Sequence, residues 1–131
     1  MSEASTDPDT LLPLPGAQLH ILMALADGEK HGYAVMREVE EMTGGVVTMG
    51  PGTLYGSIKR MLAGRLIEET DERPDPDLDD ARRRYYRLTA FGSRVLGAET
   101  ERLERLVRAA RAKQSGRPDP TRHKRPELGT A

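Results

Sequence analysis

The sequence has no cysteine, no tryptophan and only five other aromatic rings, four Tyr and one Phe, among its 131 residues. Without cysteine there is no disulfide, no thiolate metal site and no cysteine nucleophile. The longest uninterrupted apolar run, Ile21 to Ala26, is far shorter than the roughly 20 residues that span a bilayer. The first ten residues also lack the basic start and apolar stretch of a signal peptide. These absences predict a cytoplasmic protein with no membrane partner.

An excess of positive charge is lacking as well, because the formal net charge is −1. Residues 1–13 carry three acids and no base, residues 14–88 carry thirteen acids and ten bases, and residues 89–131 carry five acids and ten bases. Neutralisation of phosphates supplies most non-specific affinity for nucleic acid. A chain with this balance should not coat DNA indiscriminately, so any binding must depend on locally placed cations.

Hydrophobic periodicity, with Pro and Gly at the expected ends, predicts several helices and a hairpin. The predicted elements are helices over residues 15–27, 31–43 and 51–63, strands over 46–48, 67–70 and 83–88, and a last helix from Thr89, its N-cap, to Lys113. The fold class is therefore mainly α with a small β-hairpin: a winged helix-turn-helix plus a long C-terminal helix. We expect a flexible arm at 1–13, the winged helix-turn-helix at 14–88, a dimerisation helix at 89–113 and a disordered tail at 114–131.

The third predicted helix has two unlike faces. At about 100° per residue, Leu54, Ile58 and Met61 fall on one side, and small or basic residues fall on the other. The outer residues are Gly52, Thr53, Gly56, Lys59, Arg60 and Ala63, flanked by Tyr55 and Ser57. A recognition helix places such a face in the major groove, where Lys59 and Arg60 would reach phosphate or guanine. The same pattern also fits an amphipathic helix whose cations are merely solvated.

Three stretches in this order resemble one known family. They are HGYAVMREVEE at 31–41, GPGTLYGSIKRMLAGRLIEE at 50–69 and RRRYYRLTAFG at 82–92. Together they are similar to the PadR (phenolic acid decarboxylase regulator) family, and the single C-terminal helix resembles its short branch. The resemblance covers residues 14–113. It implies a DNA-binding winged helix, a homodimer built largely by the last helix, and repression relieved by a small-molecule effector.

Three arginines occupy the base of the predicted wing. In a winged helix this position returns along the phosphate backbone, so they are candidates for phosphate contacts. Alternatively, they neutralise the acids of the wing loop, Asp75, Asp77, Asp79 and Asp80. The candidate DNA-contacting residues are therefore Thr53, Tyr55, Ser57, Lys59, Arg60, Arg82, Arg83 and Arg84.

The last predicted helix has an apolar seam that so small a chain cannot fully bury against its own winged helix. The candidate dimerisation residues are Leu96, Leu103, Leu106, Val107 and Ala110. An effector would meet aliphatic and methionine side chains where the first and last helices join, such as Leu19, Met23, Phe91 and Val95. Alternatively, these four residues simply close the dimer core.

Catalysis and metal binding are not indicated. The glycines at 50, 52 and 56 do not have the spacing of a dinucleotide-binding fingerprint, no two of the three histidines have ligand spacing, and no nucleophile has a base beside it. We therefore predict a non-enzymatic regulator without cofactor or metal, a repressor that binds a pseudo-palindromic operator as a homodimer. The alternative is a winged-helix adaptor that binds protein or senses an effector, with little affinity for DNA.

Overall fold

The computed structural model describes residues 7–70 and 84–116. A 3-10 helix at Pro8–Leu11 opens the described chain. The remaining elements are α1 (Gly16–Leu25), β1 (Lys30–His31), α2 (Gly32–Met42), α3 (Pro51–Ala63), β2 (Ile67–Thr70), β3 (Tyr85–Leu88) and α4 (Ala90–Gln114). The predicted fold class, mainly α with a small antiparallel sheet, is confirmed. The tip of the wing and the predicted tail from residue 117 onward lie outside the described residues.

Helix α1 is central to the first part of the chain because it is apolar on two sides. Ile21, Leu22 and Ala24 are fully buried, and Leu25 is nearly so. A helix that is apolar on two sides must be covered by other elements on both sides. Accordingly, α1 packs against both α2 and α3. Met23 is the exception, since 43% of its surface is exposed.

Helix α2 begins at the predicted residues and is capped by a side chain. His31 is its N-cap, and its Nδ1 accepts a hydrogen bond of 3.2 Å from the amide of Ala34. Such a bond satisfies one of the donors left open at a helix start.

The prediction of a strand at 46–48 is wrong. Gly44 and Gly45 have positive φ angles of 62° and 81°, which turn the chain sharply, and Val46 is left 85% exposed. The hydroxyl of Thr43 accepts a hydrogen bond from the amide of Val47. This backbone group therefore closes a local turn between α2 and α3 and does not pair with another strand.

The sheet has three strands in the order β1-β3-β2, all antiparallel. The predicted hairpin is present, with Ile67 opposite Leu88 and Thr70 opposite Tyr85. The third strand was not predicted: Lys30 and His31, just before α2, pair with the outer edge of β3. Two residues carry no period-2 pattern, so their pairing is visible only in the folded chain.

The start of α4 is fixed to Arg65 and Leu66, in the turn that precedes β2. Thr89 caps the helix as predicted, since its Oγ1 accepts from the amide of Gly92 at 2.9 Å and donates to the carbonyl of Arg65 at 2.7 Å. Gly92 is buried against the Leu66 backbone, and a Cβ at this position would collide with the Leu66 carbonyl. Only glycine permits this close approach.

Of the flexible arm predicted at 1–13, the structure describes residues 7–13, which contain a short 3-10 helix. Besides the 3-10 helix at Pro8–Leu11, the chain is fixed at Leu14, which is 8% exposed. The Leu14 amide donates a hydrogen bond of 3.1 Å to a carboxylate oxygen of Glu99, itself 1% exposed. A buried carboxylate needs such partners, so this bond ties the segment to α4.

The chain divides into two compact units, residues 1–99 and 100–131. Among the described residues, all fifteen buried hydrophobic residues belong to the first unit. The described part of the second unit is the remainder of α4 and the turn that follows it. Within the described residues, the search for a helix both long and apolar enough to span a membrane finds no candidate.

Candidate nucleic-acid interface

Helix α3 has the two faces that its sequence predicts. Leu54 and Met61 are fully buried and Ile58 is 3% exposed, so one side is anchored in the core. On the other side Gly52, Thr53, Lys59, Arg60 and Ala63 are exposed. One face of the helix is thus fixed in the core. The opposite face is exposed and has small side chains at its N-terminal end and basic side chains at its C-terminal end.

The two cations of this surface are available to a ligand. Within residues 7–70 and 84–116, neither Lys59 nor Arg60 takes part in an ion pair. The Arg60 guanidinium extends back along the helix and lies over Gly56. Two adjacent exposed cations on a helix of fixed orientation form a local positive site despite the acidic net charge.

Two of the predicted contact residues do not lie on this surface. Ser57 is 1% exposed, so its hydroxyl is not available to DNA. It lies one helical turn from Leu54 and Met61, on the side that packs against the core. Tyr55 is half-buried, and its hydroxyl lies directly over Gly32 at the start of α2, where any Cβ would collide with it. Its ring therefore joins α3 to α2, which corrects its assignment as a flanking donor.

Of the candidate DNA-contacting residues at the base of the wing, the structure describes Arg84. Its Nε lies 3.4 Å from a carboxylate oxygen of Glu69 on β2, and its side chain is 60% exposed. The next exposed arginine, Arg87, pairs with Glu68 at 2.7 Å. Such exposed pairs contribute little stability, so they are easily exchanged for a stronger anion. Arg82 and Arg83, and the acids predicted to neutralise them, lie outside the described residues.

The predicted dimerisation residues follow one line along α4. In the first unit Leu96 is half-buried. In the second unit Leu103 is half-buried and Ala110 exposed, and Leu106 and Val107 are 50% and 49% exposed. Leu96, Leu103 and Ala110 recur every seven residues, the spacing of a helix seam that meets another helix.

The predicted effector residues do not form one surface. Val95 is completely buried, whereas 43% of the Met23 surface is exposed. Phe91 lines a cavity of about 510 Å³, whose other lining residues come from the segment before α1, from Gln18 of α1, from the end of α3 and from the turn that follows it. The described residues contain no group of three or more His, Cys, Asp or Glu side chains that could hold a metal ion.

Three helices, an antiparallel wing and a long final helix, with a basic face on the third helix, define a winged helix-turn-helix protein. The chain belongs to the transcriptional regulator PadR-like family, whose model matches residues 21–98. The sequence resemblance to this family is thereby confirmed.

Solved structures of low sequence identity share the fold. A PadR family transcription regulator from Clostridium difficile has a TM-score of 0.62 at 23% identity and covers 76% of this chain and 97% of its own. A transcriptional regulator from Clostridium thermocellum has a TM-score of 0.61 at 21% identity, covering 81% and 95%. PadR of Bacillus subtilis in complex with operator DNA has a TM-score of 0.54 at 22% identity, covering 66% of this chain and 46% of its own.

A curated relative is larger than this chain. An uncharacterized 37.1 kDa protein in transposon TN4556 of Streptomyces fradiae is 36% identical over 103 residues, which are 79% of this chain and 27% of that protein. This chain thus spans about a quarter of the length of that relative.

Proposed function

We propose that this protein is a DNA-binding transcriptional repressor that acts in the cytoplasm as a homodimer on a pseudo-palindromic operator. The observation that supports this proposal most strongly concerns α3. Lys59 and Arg60 are exposed beside small residues on its outer face, while its opposite face is buried in the core. Membership of a family of transcriptional regulators supports a regulatory role and not a catalytic one. The relative solved with operator DNA supports DNA as the ligand.

In this proposal α3 enters the major groove with its N-terminal end foremost. Gly52, Thr53 and Gly56 allow the backbone to approach the base edges closely, and Arg60 pairs with guanine or phosphate. Lys59 and Arg84 contact phosphates, with Arg84 exchanging Glu69 for DNA. Arg82 and Arg83 extend the same contact at the base of the wing.

Dimerisation is proposed through α4. Leu106 and Val107 are apolar and half-exposed, and burial of such side chains against a second copy of the seam is favourable. A two-fold dimer presents two recognition helices to half-sites about one DNA turn apart. Such a dimer represses by occupying its operator, which requires no contact beyond those with DNA.

A winged-helix adaptor with little DNA affinity is the second candidate. Two observations favour it: Arg84 and Arg87 at the wing are paired with Glu69 and Glu68, and the formal net charge of the chain is −1. In this case the wing arginines stabilise the hairpin and the helix face meets a protein.

A salt titration separates the two candidates. An operator is first selected from random duplexes, and its affinity is then measured at several salt concentrations. DNA binding through phosphates gives a steep fall of log K with log salt, with a slope of about −0.9 per phosphate contact. A flat dependence, or no selected sequence, favours the adaptor.

Two variants test the placement of α3. Lys59→Ala should lower affinity for all sequences and reduce the salt slope, whereas Arg60→Ala should cost roughly 1 to 3 kcal/mol and relax preference at one base. Arg108→Ala, an equal loss of charge at an exposed position of α4, is the control. Equal effects in all three variants would contradict the docking of α3.

The dimer has a separate test. Leu103→Glu combined with Leu106→Glu places charge in the seam and should yield a monomer by light scattering, because buried unpaired charges are costly. The control is Glu101→Gln with Glu104→Gln, both exposed on the same helix. A dimer that survives the double glutamate variant would show that another surface holds it.

A further inference from the structure

His31 takes part in two elements at once, and the proposed DNA contacts do not use it. Its backbone belongs to β1 and lies opposite Tyr85 of β3. Its side chain caps α2, because Nδ1 accepts a hydrogen bond of 3.2 Å from the amide of Ala34. The residue therefore lies where the sheet that includes the wing meets the start of α2.

The imidazole ring of His31 also contacts the wing. The centroids of the His31 and Tyr85 rings are 5.4 Å apart, and the two ring planes are at 82° to each other. Aromatic pairs prefer this edge-to-face geometry, and pairs that face each other across two strands stabilise a sheet. Because the backbone pairing of β1 covers only Lys30 and His31, the ring contact adds to a very short ladder.

The residue after His31 is joined to the recognition helix. Gly32 is buried at the start of α2, and the hydroxyl of Tyr55 from α3 lies directly over it. Leu54, beside Tyr55, is fully buried, so this part of α3 is fixed in the core. Residues 31 and 32 thus connect the two proposed DNA-contacting elements: residue 32 contacts α3, and residue 31 contacts the wing.

The ring contact lies next to a proposed phosphate contact. Arg84 directly precedes Tyr85, and its side chain is 60% exposed. Tyr86, the next residue of β3, is anchored in the core with 3% exposure, whereas Tyr85 is half-buried. A contact residue that is ordered before binding loses less conformational entropy when the ligand arrives. The end of β3 that carries Arg84 therefore benefits from an anchor of its own.

We propose that His31 is a positioning residue for DNA binding: its ring holds β3, and with it Arg84, in a fixed orientation relative to the recognition helix. The cap on α2 and the ring contact with Tyr85 are separate functions of one side chain, so substitution can separate them. The attachment of β3 rests on the ring geometry alone, whereas its consequence for DNA rests on the proposed function.

Two substitutions retain one function each. Asn is among the best N-cap residues, so His31→Asn keeps an acceptor for the Ala34 amide and removes the ring. Phe has no acceptor, so His31→Phe removes the cap and keeps a ring beside Tyr85. His20→Asn is the matched control, because His20 lies in α1 and its Nδ1 is 2.7 Å from the carbonyl oxygen of Gly16 in the same helix.

Hydrogen exchange on the full chain without DNA tests the attachment of β3, with the amides of α3 as the internal reference. The β3 amides should exchange about threefold to tenfold faster in His31→Asn, because loss of an aromatic pair favours local opening. The Ala34 amide should show the reverse pattern, with faster exchange in His31→Phe and little change in His31→Asn. His20→Asn should change neither.

Binding to the selected operator tests the consequence for DNA. His31→Asn should lower the affinity about threefold to tenfold and make the salt slope shallower by up to about 0.9, the value of one phosphate contact. His31→Phe should keep the wild-type slope. Arg84→Ala should have a smaller effect in the His31→Asn background than in wild type, whereas Lys59→Ala should have the same effect in both, because only coupled sites depart from additivity.

Two results would overturn the proposal: unchanged β3 exchange in His31→Asn, or equal effects of Arg84→Ala in the two backgrounds. Affinity that falls in His31→Phe and not in His31→Asn would follow the cap, which would contradict positioning by the ring. If β3 exchange changes as expected but the wild-type chain has no DNA affinity, the attachment of β3 by His31 stands and the proposed function fails.

Discussion

The two units of the chain differ in how completely their apolar side chains are buried. In the described part of residues 1–99 fifteen hydrophobic residues are buried, and Ile21, Leu22, Leu54 and Met61 are completely removed from solvent. In residues 100–116 no described residue is buried, and Leu106 and Val107 remain about half-exposed. Burying apolar surface is the main favourable term in folding. The first unit therefore has a core of its own, whereas the second presents apolar surface that a second molecule can cover.

Truncation of a buried side chain in the first unit should have the largest effect on stability, and it should differ from truncation of an exposed one in the second unit. Leu54→Ala removes a fully buried side chain and should lower the free energy of unfolding by about 2 to 5 kcal/mol at every protein concentration. Leu106→Ala should have its effect through association, so its loss of stability should disappear on dilution to monomer. Urea denaturation at two protein concentrations measures both. A concentration-independent loss of the same size for Leu106→Ala would contradict the distinction.

Two glycines of α4 give a sharper version of the same contrast. Gly92→Ala places a methyl group against the Leu66 carbonyl, and moving α4 away from Leu66 should cost about 1 to 3 kcal/mol, as overpacking does. Gly97→Ala meets nothing within 4 Å, so it should stabilise the helix by roughly 0.5 to 1 kcal/mol. The sign of the change in the urea midpoint distinguishes them, and destabilisation by both would show that residue 97 is also enclosed.

Loss of the α4 cap should have a smaller effect. Thr89→Ala removes the bonds from Thr89 Oγ1 to the Gly92 amide and the Arg65 carbonyl, and such caps contribute about 1 kcal/mol. Thr89→Ser retains the oxygen and should recover most of the stability. Thermal unfolding of the two variants is the measurement. If serine were no better than alanine, the hydroxyl would not be the cap.

The smallest predicted effect is a pH dependence confined to the core unit. Burial, followed by the nearby Glu69, raises the pKa of Tyr86 above its ordinary value of 10.0. The folded state thus favours the neutral phenol, so its contribution is complete below pH 10.0 and is lost as the pH rises through the folded pKa. Tyr86→Phe should reduce this alkaline loss in urea titrations. An unchanged pH profile would exclude Tyr86 as its source.

Much of the fold was predictable because it is encoded locally. The stripe of Leu54, Ile58 and Met61, the cap at Thr89 and the β2–β3 hairpin follow from periodicity and from residues a few positions apart. The same periodicity predicted the exposure of Lys59 and Arg60. These features require only the geometry of one element, so the chain's own pattern determines them.

Other features depend on contacts between distant residues. The pairing of Lys30 with Tyr86, the bond from Leu14 to Glu99 and the cavity lined by Phe91 join segments far apart in the chain. Ser57 and Tyr55 were assigned to the outer surface of α3 because a helical wheel places them at its margins, and packing of the neighbouring elements covered them. The sequence alone determined which face of each helix is apolar. Only the tertiary structure decided which polar side chains stay accessible, because burial is a property of the assembled chain.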